Sequence, residues 1–284
     1  MSYQPENHRI IFYFVVAGLI VGGCAPPVQQ VRRVCPGAQT VTESLSRLRL
    51  HSENALSFKA GGQCRLQYYA EDKNHVENFS VKLWVNPPRE IYLQGDVAFD
   101  PKAIILGSNE EEFWLAMKPK EVSSYWWGRW AEQNGEGALK LDPKLLLEAF
   151  GVLAGGNKES WLLSREEGSD VLTETDGPGL SRKIYIDNCS YRVWKVVRID
   201  ADGKNAAITK LDRYKELSED FSIPTVIEIV SRSWDGSEDS LRITLDSAKS
   251  AQFSNKQKSR LFNRPGTRGF KHIYKVVNGD IIEQ

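Results

Sequence analysis

Val193-Trp194-Lys195-Val196-Val197-Arg198-Ile199-Asp200-Ala201-Asp202-Gly203-Lys204 reads as a strand that runs into a tight turn. β-Branched and aromatic residues favour extended backbone. Asp-Gly tolerates the positive φ angles of a two-residue hairpin. The spacing therefore predicts paired strands over Tyr191–Asp200 and Asn205–Tyr214. Outward from this hairpin the same grammar repeats. Arg182–Asp187 precedes it, Thr225–Trp234 and Ser240–Phe253 follow around Asp235-Gly236, and His272–Val277 is a last strand.

The first half extends the series. Cys64–Ala70, Phe79–Asn86, Glu90–Phe99, Ile104–Leu106, Phe113–Met117 and Ser123–Trp130 are alternating or aromatic-rich runs, with Asn86-Pro87-Pro88-Arg89 as a connector. Between 131 and 180 the period changes. Asp142-Pro143 followed by Lys144–Phe150 predicts a helix with proline at its first position, ending in glycines at Gly151 and Gly155-Gly156. Trp161–Ser164 and Val171–Thr173 read as short strands. Val41, Leu45, Leu48 and Ala55 recur at helical spacing and predict a first amphipathic helix over 41–54. Ten or more strands with two helices give an α+β fold, a large antiparallel sheet with helices against one face. A sheet of that size must curl or split. A curled sheet closed by helices has an interior to fill.

Ahead of this region, Ile10–Cys24 is a short apolar run after a weakly basic start, and it stops at Gly22-Gly23-Cys24. It is shorter than the roughly 20 residues of a membrane-spanning helix. It fits an export signal over residues 1–23. A cysteine directly after the two glycines resembles a bacterial lipoprotein signal, which implies lipid attachment at Cys24. A plain secretory signal and a buried helix are the alternatives. Residues 24–39, with Pro26, Pro27 and Pro36, are expected to be a flexible tether, and 40–284 a single domain with a helical insertion at about 131–180. Ala25 after the anchor, by resemblance to enterobacterial lipoproteins, implies the outer membrane, facing the periplasm.

Formal net charge is zero, so bulk charge selects no polyanionic partner. Cys35, Cys64 and Cys189 remain beyond the anchor, enough for one disulfide and a spare thiol, with Cys35–Cys64 the first expectation. No cysteine or histidine spacing matches a metal site, no Gly-x-Ser-x-Gly elbow occurs, and Gly151–Lys158 lacks the Gly-Lys-Ser/Thr ending of a phosphate loop. The sequence thus nominates no catalytic set, no metal and no cofactor, and the expected protein is not an enzyme.

Six of the eight tryptophans lie between Trp84 and Trp161. Tyr125-Trp126-Trp127-Gly128-Arg129-Trp130 places rings on both faces of one strand. One face packs on a neighbouring layer. The other either lines an apolar hollow or fills a solid core. Trp84, Tyr92, Phe99, Trp114, Trp126, Trp127, Leu146 and Phe150 are the candidates for the wall and lid of such a hollow. Ser247–Gly279 contains no acid and eight basic residues. Among these, Lys256, Lys258, Arg260, Arg264 and Arg268 are candidates for contact with an anionic membrane surface, and a solvated loop with a lysine-protected edge strand is the alternative.

Taken together, the N-terminal helix, the Leu83–Ile91 connector region, the mid-chain helical section, the Val193–Lys204 hairpin, Tyr214, Ile223-Pro224 and the closing segment near Phe262–Pro265 resemble the LolA/LolB-like group of lipoprotein-sorting carriers and receptors. The resemblance covers roughly residues 40–275. It implies an incomplete β-barrel covered by helices, a cavity for the acyl chains of lipoproteins or lipids, and a role in lipoprotein or lipid localisation. A scaffold with a filled core that binds another envelope protein, and a sensor of mislocalised lipoproteins, are the alternatives. An exported protein meets little nucleic acid, so no nucleic-acid partner is expected.

Overall fold

A computed structural model describes residues 35–70, 73–97, 100–119, 122–132, 143–152, 160–166, 168–174, 181–200, 203–232, 237–278 and 280–284. The apolar run 10–24, its Cys24, and Phe99 lie outside the described residues.

Fifteen strands form one open sheet. In chain order they are β1 Phe58–Ala70, β2 Lys73–Asn86, β3 Glu90–Val97, β4 Asp100–Ser108, β5 Glu112–Met117, β6 Ser124–Arg129, β7 Trp161–Glu166 and β8 Ser169–Glu174. Then come β9 Ser181–Asp187, β10 Val193–Ile199, β11 Asn205–Glu216, β12 Ser222–Arg232, β13 Glu238–Ser250, β14 His272–Val277 and β15 Asp280–Glu283. Their order across the sheet is β15-β14-β6-β5-β4-β3-β2-β1-β13-β12-β11-β10-β9-β8-β7. Neighbours pair antiparallel except β14, which lies parallel to β6. The α+β expectation of a large antiparallel sheet holds, and the sheet is an incomplete barrel with two free edges.

Among the described residues three α-helices accompany it: α1 Val41–Glu53, α2 Pro143–Ala149 and α3 Asn255–Leu261. Thr40 caps α1 by accepting from the Glu43 amide at 3.1 Å. α2 ends in a Schellman motif: Val152 N–H bonds Leu147 O at 3.0 Å and Gly151 N–H bonds Glu148 O at 2.9 Å. Gly151 has φ +71°, and a Cβ there would sit 2.6 Å from the His51 ring, so both backbone and packing require glycine. α2 is the one α-helix described between 131 and 180; the other described segments there include β7 and β8.

α2 shows how the sheet curves. It packs on both β4 and β11, which are six strands apart in the sheet. Six flat strands would span about 29 Å, and a helix is only about 10 Å across. The sheet therefore wraps around α2. Leu145, Leu146, Leu147 and Phe150 enter the main core with Phe58, Leu83, Leu106, Leu115, Ile227 and Ile243. α1 covers the β7–β10 end of the same face through Leu45, against Trp161, Leu172, Ile184 and Val196. Ser52 Oγ donates to Val152 O at 2.7 Å and ties α1 to the end of α2.

The disulfide joins Cys35 to Cys189, not to Cys64. Cys64 points into the core from β1, beside Phe79 and Ile243 in register, and stays a free buried thiol. Cys189 lies in the β9–β10 turn, where the segment 35–38 is held. There Ala38 N–H donates to Asp170 Oδ2 at 2.6 Å, and the Arg165 guanidinium donates to Ala38 O at 2.9 Å. Residues 35–39, the described part of the expected tether, are thus fixed to the sheet.

Candidate functional site

The concave face is built from one register row above all others. Ala60, Leu83, Leu93, Leu106, Leu115 and Trp126 lie side by side from β1 to β6. Directly paired residues point to the same face of a sheet. This row faces α2, and Leu146 and Phe150 are buried against it, with the Phe150 ring edge-on to Phe58 at 5.2 Å.

The next row is Trp84, Tyr92, Gly107, Trp114 and Trp127. One residue along each strand reverses the face. Trp84, Tyr92, Trp114 and Trp127 therefore gather on the outer face, away from α2. They are covered by Phe253, Leu261, Phe262 and Phe270 from α3 and its flanks. Gly107 makes room for this layer, since a Cβ there would meet the Trp114 ring at 2.6 Å. Of the seven described wall and lid candidates, Trp126, Leu146 and Phe150 lie on the concave side. Phe58, Leu83, Leu93, Leu106 and Leu115 complete that surface, and the four leucines escape a reading that weights aromatic residues.

The basic candidates divide as well. Arg264 pairs with Glu112 at 3.0 Å and lies 4.2 Å over the Trp127 ring, so it fastens the outer layer. Lys256, Arg260 and Arg268 are exposed and Lys258 is half-buried. All except Arg268 sit on α3, whose capping box, Ser254 with Gln257, is a sequence signal for a helix at this place.

A cluster that the sequence reading missed holds α2 in place. Glu148 is the single acid of α2 and lies between Arg198 of β10, at 2.5 Å, and Arg182 of β9, at 3.1 Å. Arg182 also reaches Glu174 at 3.2 Å and lies over the Trp161 ring. Burial alone would raise the Glu148 pKa, but the Arg198 and Arg182 charges outweigh it and hold the carboxyl below its ordinary range. A lone acid inside Leu145-Leu146-Leu147-Glu148-Ala149-Phe150 is the signal that was available, because a buried carboxylate needs a cationic partner.

Beside this cluster lies a cavity of about 70 Å³ between α1, α2 and β9–β11, lined by Leu48, His51, Phe150, Ile184, Val193 and Tyr214 among others. Burial, reinforced by Arg192, lowers the His51 pKa and keeps its imidazole neutral at pH 7. Tyr214 donates its hydroxyl to Val193 O, and burial pushes its pKa up. This space is well below the roughly 300 Å³ of a small ligand pocket. Among the described residues no group of three or more His, Cys, Asp or Glu could hold a metal, and no helix is long and apolar enough to cross a membrane.

No family model and no curated protein matches the sequence. Solved structures do match the fold. A domain from Vibrio parahaemolyticus, provisionally assigned as an outer membrane lipoprotein-sorting protein, superposes with a TM-score of 0.52 at 12% identity, over 79% of this chain and 100% of that one. A LolA superfamily protein from Nitrosomonas europaea gives 0.48 at 12% identity, over 78% and 97%. A DUF1329 family protein from Desulfovibrio piger gives 0.49 at 10% identity, over 78% and 98%. The Vibrio match shows that this chain shares the fold of that domain.

Proposed function

We propose that this chain is a lipid-anchored envelope protein that takes acyl chains of lipoproteins or lipids into the concave side of its sheet, displacing α2. In this reading Cys24 carries the anchor, and the protein acts at the outer membrane, facing the periplasm, without covalent chemistry. One observation carries the reading: the curved sheet closes on a seven-residue apolar helix, not on a wall of its own strands.

The energetics suit an exchange. Undocking Leu145, Leu146, Leu147 and Phe150 costs about 6–12 kcal/mol, at about 1.5–3 kcal/mol per side chain. An acyl chain of about fifteen methylenes returns about 12 kcal/mol when it leaves water. The two terms nearly cancel, so the Glu148 cluster decides how readily an arriving acyl chain replaces α2. Trp126 and the Leu83–Leu115 row would line the open site.

A second reading has its own support, the 70 Å³ cavity. It makes the protein a scaffold or sensor with a permanently filled interior that binds another envelope protein. The readings separate on uptake of a fluorescent fatty acid by the full-length chain. Acyl-chain exchange predicts saturable binding that is tighter in Glu148→Gln and weaker in Trp126→Glu. Absence of saturable binding in both wild type and Glu148→Gln leaves only the scaffold.

A further inference from the structure

The register row that carries the outer aromatic layer does not end at Trp84. It continues through Lys59 on β1 to Lys249 on β13, and there it turns from aromatic to basic. A groove of about 370 Å³ opens at this place, lined by Lys59, Lys82, Lys215, Lys249 and Trp84 around a floor that includes Gly61. It is about five times the interior cavity and within the size range of small-ligand sites. Asp246 is the one carboxylate in the lining, so four ammonium groups against one carboxylate leave a formal charge of +3. Lys59, Lys215 and Lys249 are exposed and have no carboxylate partner among the described residues, and Lys82 reaches Asp96 at 3.4 Å.

Gly61 and Gly62 sit in mid-strand, where glycine weakens a sheet and often marks close approach of another group. Gly62 is required by the fold: a Cβ there would lie 2.0 Å from the Thr244 carbonyl oxygen, at the bulge opposite β13. Gly61 is different. Its φ is not positive, and a Cβ would meet Ser247 Oγ at an ordinary 3.5 Å. The fold accepts a side chain at position 61, but a large one would stand in the groove.

We infer that this groove binds a phosphate group, seated among the lysine ammonium groups over Gly61 and flanked by the Trp84 ring. Separate ammonium point charges suit a compact, multiply charged anion with oxygens on all sides, whereas planar carboxylates are matched by the arginine fork. The phosphate belongs either to the head group of an anionic lipid or to a free phosphate ester. Trp84 packs against Tyr92 at 5.7 Å and shares the outer apolar layer with Leu261 of α3, so the groove borders the basic α3 surface.

The test reconstitutes the full-length chain into vesicles of phosphatidylcholine alone or with added phosphatidylglycerol. Lysine acetylation is then followed residue by residue by mass spectrometry. A lipid head group slows acetylation of Lys59, Lys215 and Lys249 several-fold only in the phosphatidylglycerol vesicles, with Lys73 and Lys210, outside the groove, unchanged. A free ester as ligand gives the same pattern in phosphatidylcholine vesicles on addition of glycerol phosphate. Gly61→Leu, with its thermal melt retained, abolishes either effect. Should Gly61→Leu not fold, the Lys59→Gln/Lys249→Gln pair replaces it, read at Lys82 and Lys215. Equal acetylation under all conditions, slowing that extends to Lys73 and Lys210, or protection that survives in a folded variant overturns the proposal.

Discussion

Removing the Glu148 carboxylate leaves the Arg198 and Arg182 guanidinium groups facing each other with their shared counter-ion gone, and Arg198 is only 5% exposed. Breaking a buried ion pair from one side typically costs about 3–5 kcal/mol, mostly through the charge left behind. Glu148→Ala is expected to lower the free energy of urea unfolding by about that amount. Acid exposes the same dependence through two groups in turn. His51 has a lowered pKa, so the unfolded chain takes up its proton first, and stability begins to fall as the pH drops below about 6.5. The Glu148 pKa is also lowered, so its contribution is complete above the ordinary 4.5 and is lost only as the pH falls through the lower folded value. Urea midpoints at successive pH values should therefore show an upper and a lower decline. His51→Gln should remove the upper one and leave the lower one in place.

At the scale of elements, α2 carries the most consequence for its length. Its stop depends on Gly151 in the left-handed region against the His51 ring, so Gly151→Ala is expected to cost at least about 1–2 kcal/mol from backbone strain alone. Chemical denaturation of that variant measures it. The start and stop of α2 were legible because Pro143 and Gly151 are local signals. The strands of the central hairpins were legible for the same reason. Facing was not. β4 and β5 are buried on both sides, with Gly107 and Trp114 on one face and Leu106 and Leu115 on the other, so their sequences show no alternation to read. Trp84, Tyr92, Trp114 and Trp127 share one row on the outer face, and a shift of one residue along each strand would exchange the two sides. The parallel β14–β6 pair and the Cys35–Cys189 bridge join segments more than a hundred residues apart, and no local pattern encodes such a meeting.

The described residues build an open sheet whose first residue, Cys35, is bolted to the β9–β10 turn across 154 residues. A cross-link closing so long a loop restricts the unfolded chain strongly, and loss of a native disulfide typically costs about 2–5 kcal/mol. Reduction with dithiothreitol should lower unfolding stability within that range and leave the sheet folded. Cys64 then reports on the interior. Its thiol is buried on the concave face, and burial pushes its pKa up to about 12, so it is inert while the protein stays closed. If α2 leaves to admit acyl chains, Cys64 becomes reachable without global unfolding. Maleimide labelling at Cys64, read by peptide mass spectrometry in native buffer, is expected to be slow in wild type, at least tenfold faster in Glu148→Gln (a barrier lower by about 1.4 kcal/mol, part of the cost of the lost ion cluster), and suppressed by added fatty acid. Labelling that appears in both proteins only at urea concentrations where the sheet itself melts means that the interior never opens. The filled core would then be the working form of the molecule.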